Sequence, residues 1–373
     1  MTERNDGEDM LNSLRTLPQL QLLKSRGEIL ATLKHDRPDL QDGSMRKLIL
    51  WYRIIHGYIQ FFKEGISNVW RTYRELKKTV YRRHDPFYIF DNGLDRSDKA
   101  TGSSKDKKMI LRSLSLDQII GELATAVRCQ HNVEGDKMWL FEKKDDRNYI
   151  RISRKQLQSM IRNKYDMRRL PFFAVLFAIL EEFSLAICWL SPYILPTTCL
   201  FPKFMPRYYS RSVKAQKELK KLRKNVPLVD IASRNPYSMS TEESRFLCEF
   251  LLVNRSFKWA NYMESRHFMC QRLLKRYKEI SLDNYLIVRD GGVDKLDILE
   301  LFDACIRRGL IDIENLMQNI SHNKTNSYYT NFPAKDEMRK NLRKFIVDFN
   351  DRGNNAGLLG LYATAEPATS EAK

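Results

Sequence analysis

Two adjacent carboxylates, Glu181 and Glu182, sit inside a long apolar run that begins at Pro171-Phe172-Phe173 and continues to Cys188-Trp189-Leu190. An ionisable residue within a membrane-spanning helix costs on the order of 2.5–3.5 kcal/mol by insertion scales, so something must offset it. Ala174, Ala178, Glu182 and Ala186 recur at every fourth position, a small-residue stripe along which another helix can approach closely, whereas Glu181 falls on the side of Phe177, Ser184 and Cys188. A carboxylate on such a face is a candidate proton or cation site. It is equally a candidate polar clamp that fixes the geometry of an oligomer.

The second chemical feature is positive charge. The chain has 64 Lys and Arg against 46 Asp and Glu, a formal net charge of +18, which implies an anionic partner. The excess concentrates between Lys203 and Lys224, where nine cations face one Glu. Lys214, Lys217, Lys220, Lys221, Arg223 and Lys224 read as a solvated helix face suited to phosphate, either ribosomal RNA or an anionic phospholipid such as cardiolipin. With 43% hydrophobic and 11% aromatic residues, the chain is no basic disordered tail.

No phosphate-binding glycine loop, zinc-protease, nucleophile-elbow or EF-hand motif occurs, and the six cysteines are scattered without a C-x-x-C pair. Cys129 and His131 make an incomplete metal set. The expectation is a non-enzymatic protein with no catalytic residues, no metal and no cofactor.

The elements that carry these groups are predicted to be helical. Leu48 to Lys78 repeats apolar residues at intervals of three and four, from Trp51, Ile54 and Ile55 to Val69 and Trp70. Helical spacing resumes over Met109–Val127, Ser153–Tyr165, Ser212–Lys224 and from Thr241 onward. The run from Leu170 to Leu200 is long enough for a membrane span of about 20 residues, ended by the exit motif Pro192, Leu195 and Pro196. Arg162, Lys164, Arg168 and Arg169 precede it, and Lys203, Arg207 and Arg211 follow. The competing reading is a buried hairpin in a large folded domain. The fold class is therefore all-α, with a single transmembrane helix and a C-terminal helical domain. Organisation along the chain follows: an N-terminal amphipathic or partly disordered segment (1–43), an aromatic basic helix (44–83), a loop (84–110), a helical lead-in (111–169), the span and its exit (170–200), a helical domain (201–350) and a disordered tail (351–373). In the first segment, Leu11, Leu14, Leu17, Leu20, Leu22 and Leu23 with Arg15, Lys24 and Arg26 suit an internal address or a plain surface helix.

Several pieces in order resemble one family. They are Ile55-His56-Gly57-Tyr58, Ile152-Ser153-Arg154-Lys155-Gln156, Arg168-Arg169-Leu170-Pro171-Phe172, Glu181 or Glu182 followed by Pro192-Tyr193-Ile194-Leu195-Pro196, and Gly292-Val293-Asp294-Lys295-Leu296 leading to Arg307-Arg308-Gly309-Leu310, then Asp336 to Phe345. Their order resembles the leucine-zipper and EF-hand-containing transmembrane (LETM-like) proteins of the mitochondrial inner membrane, as a short member lacking the EF-hand and long coiled coil. The resemblance implies a 14-3-3-like C-terminal domain in the matrix that binds the mitochondrial ribosome, single-pass insertion in the inner membrane, a homo- or hetero-oligomer, and potassium/proton exchange serving matrix cation and volume homeostasis. Its alternative is a membrane-tethered ribosome receptor that assists insertion of newly made proteins.

Overall fold

A computed structural model describes residues 10–24, 26–36, 43–81, 88–90, 108–110, 115–134, 149–180, 192–253, 264–322, 333–351 and 356–364. Helices dominate these residues: α1 (Arg26–Asp36), α2 (Ser44–Leu76), α3 (Leu116–Glu134), α4 (Arg154–Leu180), α5 (Ser210–Arg223), α6 (Thr241–Phe250), α7 (Arg266–Asp290), α8 (Ile298–Arg308), α9 (Ile313–His322) and α10 (Lys335–Asp351). The all-helical expectation therefore holds for the bulk of the described residues. Among the described residues it is broken by three short strands, β1 (Tyr88–Phe90), β2 (Lys108–Ile110) and β3 (Tyr149–Ile150), which form an antiparallel sheet in the order β2-β1-β3. Two of those strands fall where a loop was expected.

The chain divides into two compact units built from interleaved segments. The first comprises Met1–Ser13, Arg74–Ile161 and Leu274–Asp297. Its core takes Ile119, Ile120, Leu123 and Val127 from α3, Leu157, Met160 and Ile161 from α4, and Leu282 and Leu286 from α7, each set spaced to bury one helix face. Both α3 and α4 start on a capping box. Ser115 and Gln118 bond reciprocally through side chain and backbone, and so do Ser153 and Gln156. Asp290 adds a carboxylate at the start of α4, accepting from the Arg154 backbone N–H at 2.7 Å. The buried Arg154 guanidinium donates to Asp283 (2.9 Å) and to the Leu11 carbonyl (2.9 Å), and Asp283 also accepts from Gln158. A charge removed from water needs such partners.

The second unit comprises Leu14–Tyr73, Arg162–Leu273 and Ile298–Lys373. In it α1 meets α2 through Ile29, Leu33 and Leu50. Ser240 caps α6 by accepting from the Glu243 N–H. Helix α8 stops on a glycine turn: Gly309 adopts φ +67, and the Gly309 and Leu310 N–H groups return to the Ile306 and Cys305 carbonyls. At the same end Arg308 is buried and donates to the Ala304 carbonyl.

Two terminal expectations are corrected. Leu11, Leu17, Leu20 and Leu23 are buried around two short 3-10 turns, Leu14–Thr16 and Leu20–Leu22, so they form core rather than the apolar face of a free surface helix. The tail is ordered over 356–364, where Ala356, Leu358, Leu359 and Ala363 are buried and the Gly357 N–H donates to the Arg234 carbonyl. Glycine is required at 357 because a Cβ there would lie 1.7 Å from the Ile231 carbonyl oxygen.

Candidate functional site

Helix α4 changes character along its length. Up to Arg169 its outer face is polar, with Lys164, Tyr165 and Arg168 toward solvent, while Asp166 is buried. From Leu170 onward it is apolar on both sides. Phe173 and Phe177 pack edge-on against Phe62 of α2, at ring-centroid distances of 5.8 and 6.0 Å. On the opposite side Phe172, Val175 and Ile179 are 60%, 60% and 74% exposed. Positions i, i+3 and i+7 share one helix face, so these three form a continuous apolar stripe, with Arg168 one turn before it.

Helix α2 runs antiparallel to α4: Asn163 donates to the Val69 carbonyl, whereas Phe173 and Phe177 meet Phe62. Moving toward the end of α4 is thus moving toward the start of α2. There Met45, Leu48, Trp51 and Tyr52 are also exposed, interleaved with Arg46, Lys47 and Arg53. One end of this helix pair therefore presents large apolar side chains and cations together, an arrangement uncommon on a surface that meets only water.

The base of this arm is closed by a polar latch. Asp166, 1% exposed, accepts from the Thr197 backbone N–H at 2.7 Å and from its hydroxyl at 2.5 Å. Burial pushes the Asp166 carboxyl up to about 6, against the hydrogen bonds from Thr197 and the nearby Arg169 and Arg162, which act to lower it. Arg169 donates to the Leu195 carbonyl at 3.1 Å, and the Thr198 hydroxyl donates to the Gly65 carbonyl of α2. Gly65 has no room for a side chain, since a Cβ would stand 2.6 Å from Cys199 Sγ. Next to the latch, Arg162 forms a bidentate pair with Glu300 of α8 (2.7 and 2.9 Å) and bonds Asp303 (2.7 Å) and Thr16 (3.0 Å). Burial opposes the Arg162 charge, but Glu300 and Asp303 outweigh it and hold the guanidinium protonated.

Pro192, Leu195 and Pro196 are buried, and the turn they belong to folds back onto α4 and α2. No helix among the described residues is long and apolar enough to cross a membrane. A hydropathy count over 170–200 cannot register that Asp166 and Thr197, on either side of the run, are hydrogen-bonded. Glu181 and Glu182 lie outside the described residues, as do the side chains of Cys129 and His131. Among the described residues no group of three His, Cys, Asp or Glu is placed to hold a metal ion.

The basic helix is also less available than its sequence suggests. Lys217 pairs with Glu314 and Lys220 with Asp312, both of the α9 start, and Lys221 pairs with Glu218. Arg223 is buried, donating to Glu243, which also takes Arg234, and to Thr364. It is a structural ion pair and not part of a solvated face. Lys214 and Lys224 do face solvent. Sequence reasoning missed Arg162, Asp166 and Thr197, whose partners lie far away along the chain. The stripe Phe172, Val175 and Ile179 was visible as apolarity and was read as part of a span.

Comparison with known proteins corrects the assignment made from short motifs. A family model described as the pentamidine resistance factor domain (PNT1) matches residues 11–290. No curated protein and no solved structure matches the chain. The LETM-like resemblance is therefore withdrawn, and with it the 14-3-3-like ribosome-binding domain, potassium/proton exchange and the ribosome-receptor alternative. The pieces that carried it have local explanations: Gly292 to Gly309 is a turn, a helix and its glycine stop, and Leu195-Pro196 is a buried turn. Matched over well more than half its length, the chain belongs to the pentamidine resistance factor domain family.

Proposed function

We propose that the protein is a non-enzymatic factor that holds itself at an anionic mitochondrial membrane, on the matrix face of the inner membrane, by docking the apolar end of α2 and α4 into the lipid. The observation that carries this reading is the exposed stripe Phe172, Val175 and Ile179, on a helix whose other side is already packed on Phe62. Each such side chain moved from water into hydrocarbon contributes on the order of 1.5–3 kcal/mol, set against the cost of immobilising the protein. Cations next to the stripe add about 1 kcal/mol each at an anionic surface, and Arg168, Arg46 and Lys47 stand beside the apolar groups. Membership of the family is in keeping with a mitochondrial setting.

The family's description names resistance to pentamidine, an aromatic dication. A chain of net charge +18 repels a dication. Its buried carboxylates Asp283, Glu243 and Glu300 are engaged by Arg154, Arg223 and Arg162. These features favour an effect on pentamidine sensitivity exerted through the membrane over capture of the drug. The test is flotation of the purified chain with phosphatidylcholine vesicles with and without cardiolipin. Binding that needs cardiolipin and weakens with salt supports the reading. Failure to float with either vesicle refutes it.

A further inference from the structure

Building on that membrane-docking reading, we infer that the start of α5 is a binding site for the phosphate groups of anionic lipid, made by Lys203, Arg207, Arg211 and Lys214 with Tyr193 and Tyr208. From Pro192 to Lys217 the chain carries five cations and no Asp or Glu. The Tyr209 and Val213 N–H groups bond the Met205 and Tyr209 carbonyls, so helical spacing carries across the turn that joins Met205–Tyr208 to α5. Met205, Tyr209, Ser212, Gln216 and Leu219 form the buried face of this stretch. Arg207, Arg211 and Lys214, at i, i+4 and i+7, lie on the opposite one, and Lys203 stands one turn earlier. Lys203, Arg207 and Lys214 are exposed, and Arg211 is half-buried.

Aromatic rings shape this row of charge. The Arg211 guanidinium lies 4.8 Å from the centroid of the Tyr193 ring, and Tyr193 in turn packs on Tyr208 at 5.4 Å. A guanidinium stacked in this way has its plane fixed, which suits a two-point contact with phosphate oxygens. Glu249 of α6 is within electrostatic reach of Arg211 and Arg245, so the Arg211 charge is partly offset from within the protein. The place of the row in the fold favours lipid as the source of the phosphate. Tyr193 is two residues from Leu195, whose carbonyl accepts from Arg169, the last residue before α4 turns apolar. Two residues span at most about 7 Å, so the Tyr193 backbone stands beside the polar-to-apolar boundary of α4, where Arg168 is exposed. Tyrosines and cations gathered at such a boundary suit a membrane–water interface. A nucleic-acid groove would not need the exposed Phe172, Val175 and Ile179 that follow it.

The experiment compares the purified full chain with two triple variants of equal charge. The site variant carries Lys203→Gln, Arg207→Gln and Lys214→Gln; the control carries Lys224→Gln, Lys335→Gln and Lys340→Gln, whose lysines are exposed elsewhere. Partitioning onto phosphatidylcholine vesicles with and without cardiolipin is measured at fixed ionic strength, beside the urea midpoint of each preparation. Three cations at an anionic surface are worth on the order of a hundredfold in partitioning. The result expected is a loss of that size for the site variant on cardiolipin vesicles, with the control near the parent and all midpoints equal. Exchanging the charges instead, Lys203→Arg, Arg207→Lys and Lys214→Arg, should keep binding. Equal losses in the site variant and the control, or no loss in the site variant, overturn the inference and leave membrane docking intact. Binding of inorganic phosphate or of single-stranded oligouridylate in preference to cardiolipin, lost in the site variant, assigns the row to a soluble ligand and overturns it as well. Failure of the parent to partition onto either vesicle overturns the docking reading and the inference together.

Discussion

Replacing Asp166 tests the latch quantitatively. The carboxyl is pushed up to about 6 from 3.8 by burial, so the folded protein holds its proton more tightly than the unfolded chain does. By linkage, stability from this group is fully present below about pH 4, is lost as pH rises through about 6, and is constant above that. A shift of about two units at 1.36 kcal/mol each corresponds to about 3 kcal/mol across this window. Asp166→Asn keeps an acceptor for the Thr197 N–H and offers an amide N–H to the Thr197 hydroxyl oxygen, but has no charge to desolvate. It is expected to abolish this pH dependence and to be at least as stable as the parent at pH 7. Asp166→Ala leaves the Thr197 N–H without an acceptor and should cost about 1–3 kcal/mol at every pH. It should also expose the Cys199 thiol, which is buried against Gly65 by the same turn. The assay is urea unfolding from pH 4 to 7.5 with maleimide labelling of Cys199 in parallel. Equal pH slopes for the parent and Asp166→Asn would refute the assignment of a charged, buried latch carboxylate.

Other substitutions separate structural charges from available ones. Arg162→Met removes the bidentate partner of the fully buried Glu300 and the nearer of the two cations beside Asp303, with Arg307 remaining at 3.9 Å, and should lower unfolding free energy by about 3–5 kcal/mol. Arg223→Gln should destabilise the α5–α6 pair through loss of the buried Glu243 partner, whereas Lys214→Gln with Lys224→Gln should leave the urea midpoint unchanged. Cys248 and Cys305, whose thiols burial pushes up to about 12, should resist alkylation until the chain unfolds.

What could be read from sequence was local. The periodicity predicting a helix over Leu48–Lys78 corresponds to α2. Start signals such as Ser153 with Gln156 work through neighbours three residues apart, and these too are legible. Pairings across the chain were not. Nothing in Lys203–Lys224 marks Arg223 as inward-facing, because its partner Glu243 lies on the next helix. The leucines of 11–23 show no helical burial pattern, since they enter the core from 3-10 turns. Most consequentially, an apolar run reads alike whether its ends lie apart or together, and the contacts of Asp166 with Thr197 and of Arg169 with Leu195 distinguish the two.

The central claim is that Phe172, Val175 and Ile179 bind lipid and not the rest of the protein. The triple change Phe172→Ser, Val175→Ser, Ile179→Ser removes most of the apolar surface of the stripe while leaving Phe173, Phe177 and Asp166 in place. Flotation with cardiolipin-containing vesicles, measured beside the urea midpoint of the same preparation, reads both properties at once. The account predicts loss of flotation with the midpoint unchanged or raised. Undiminished flotation, or a midpoint lowered as for a buried core, would contradict it.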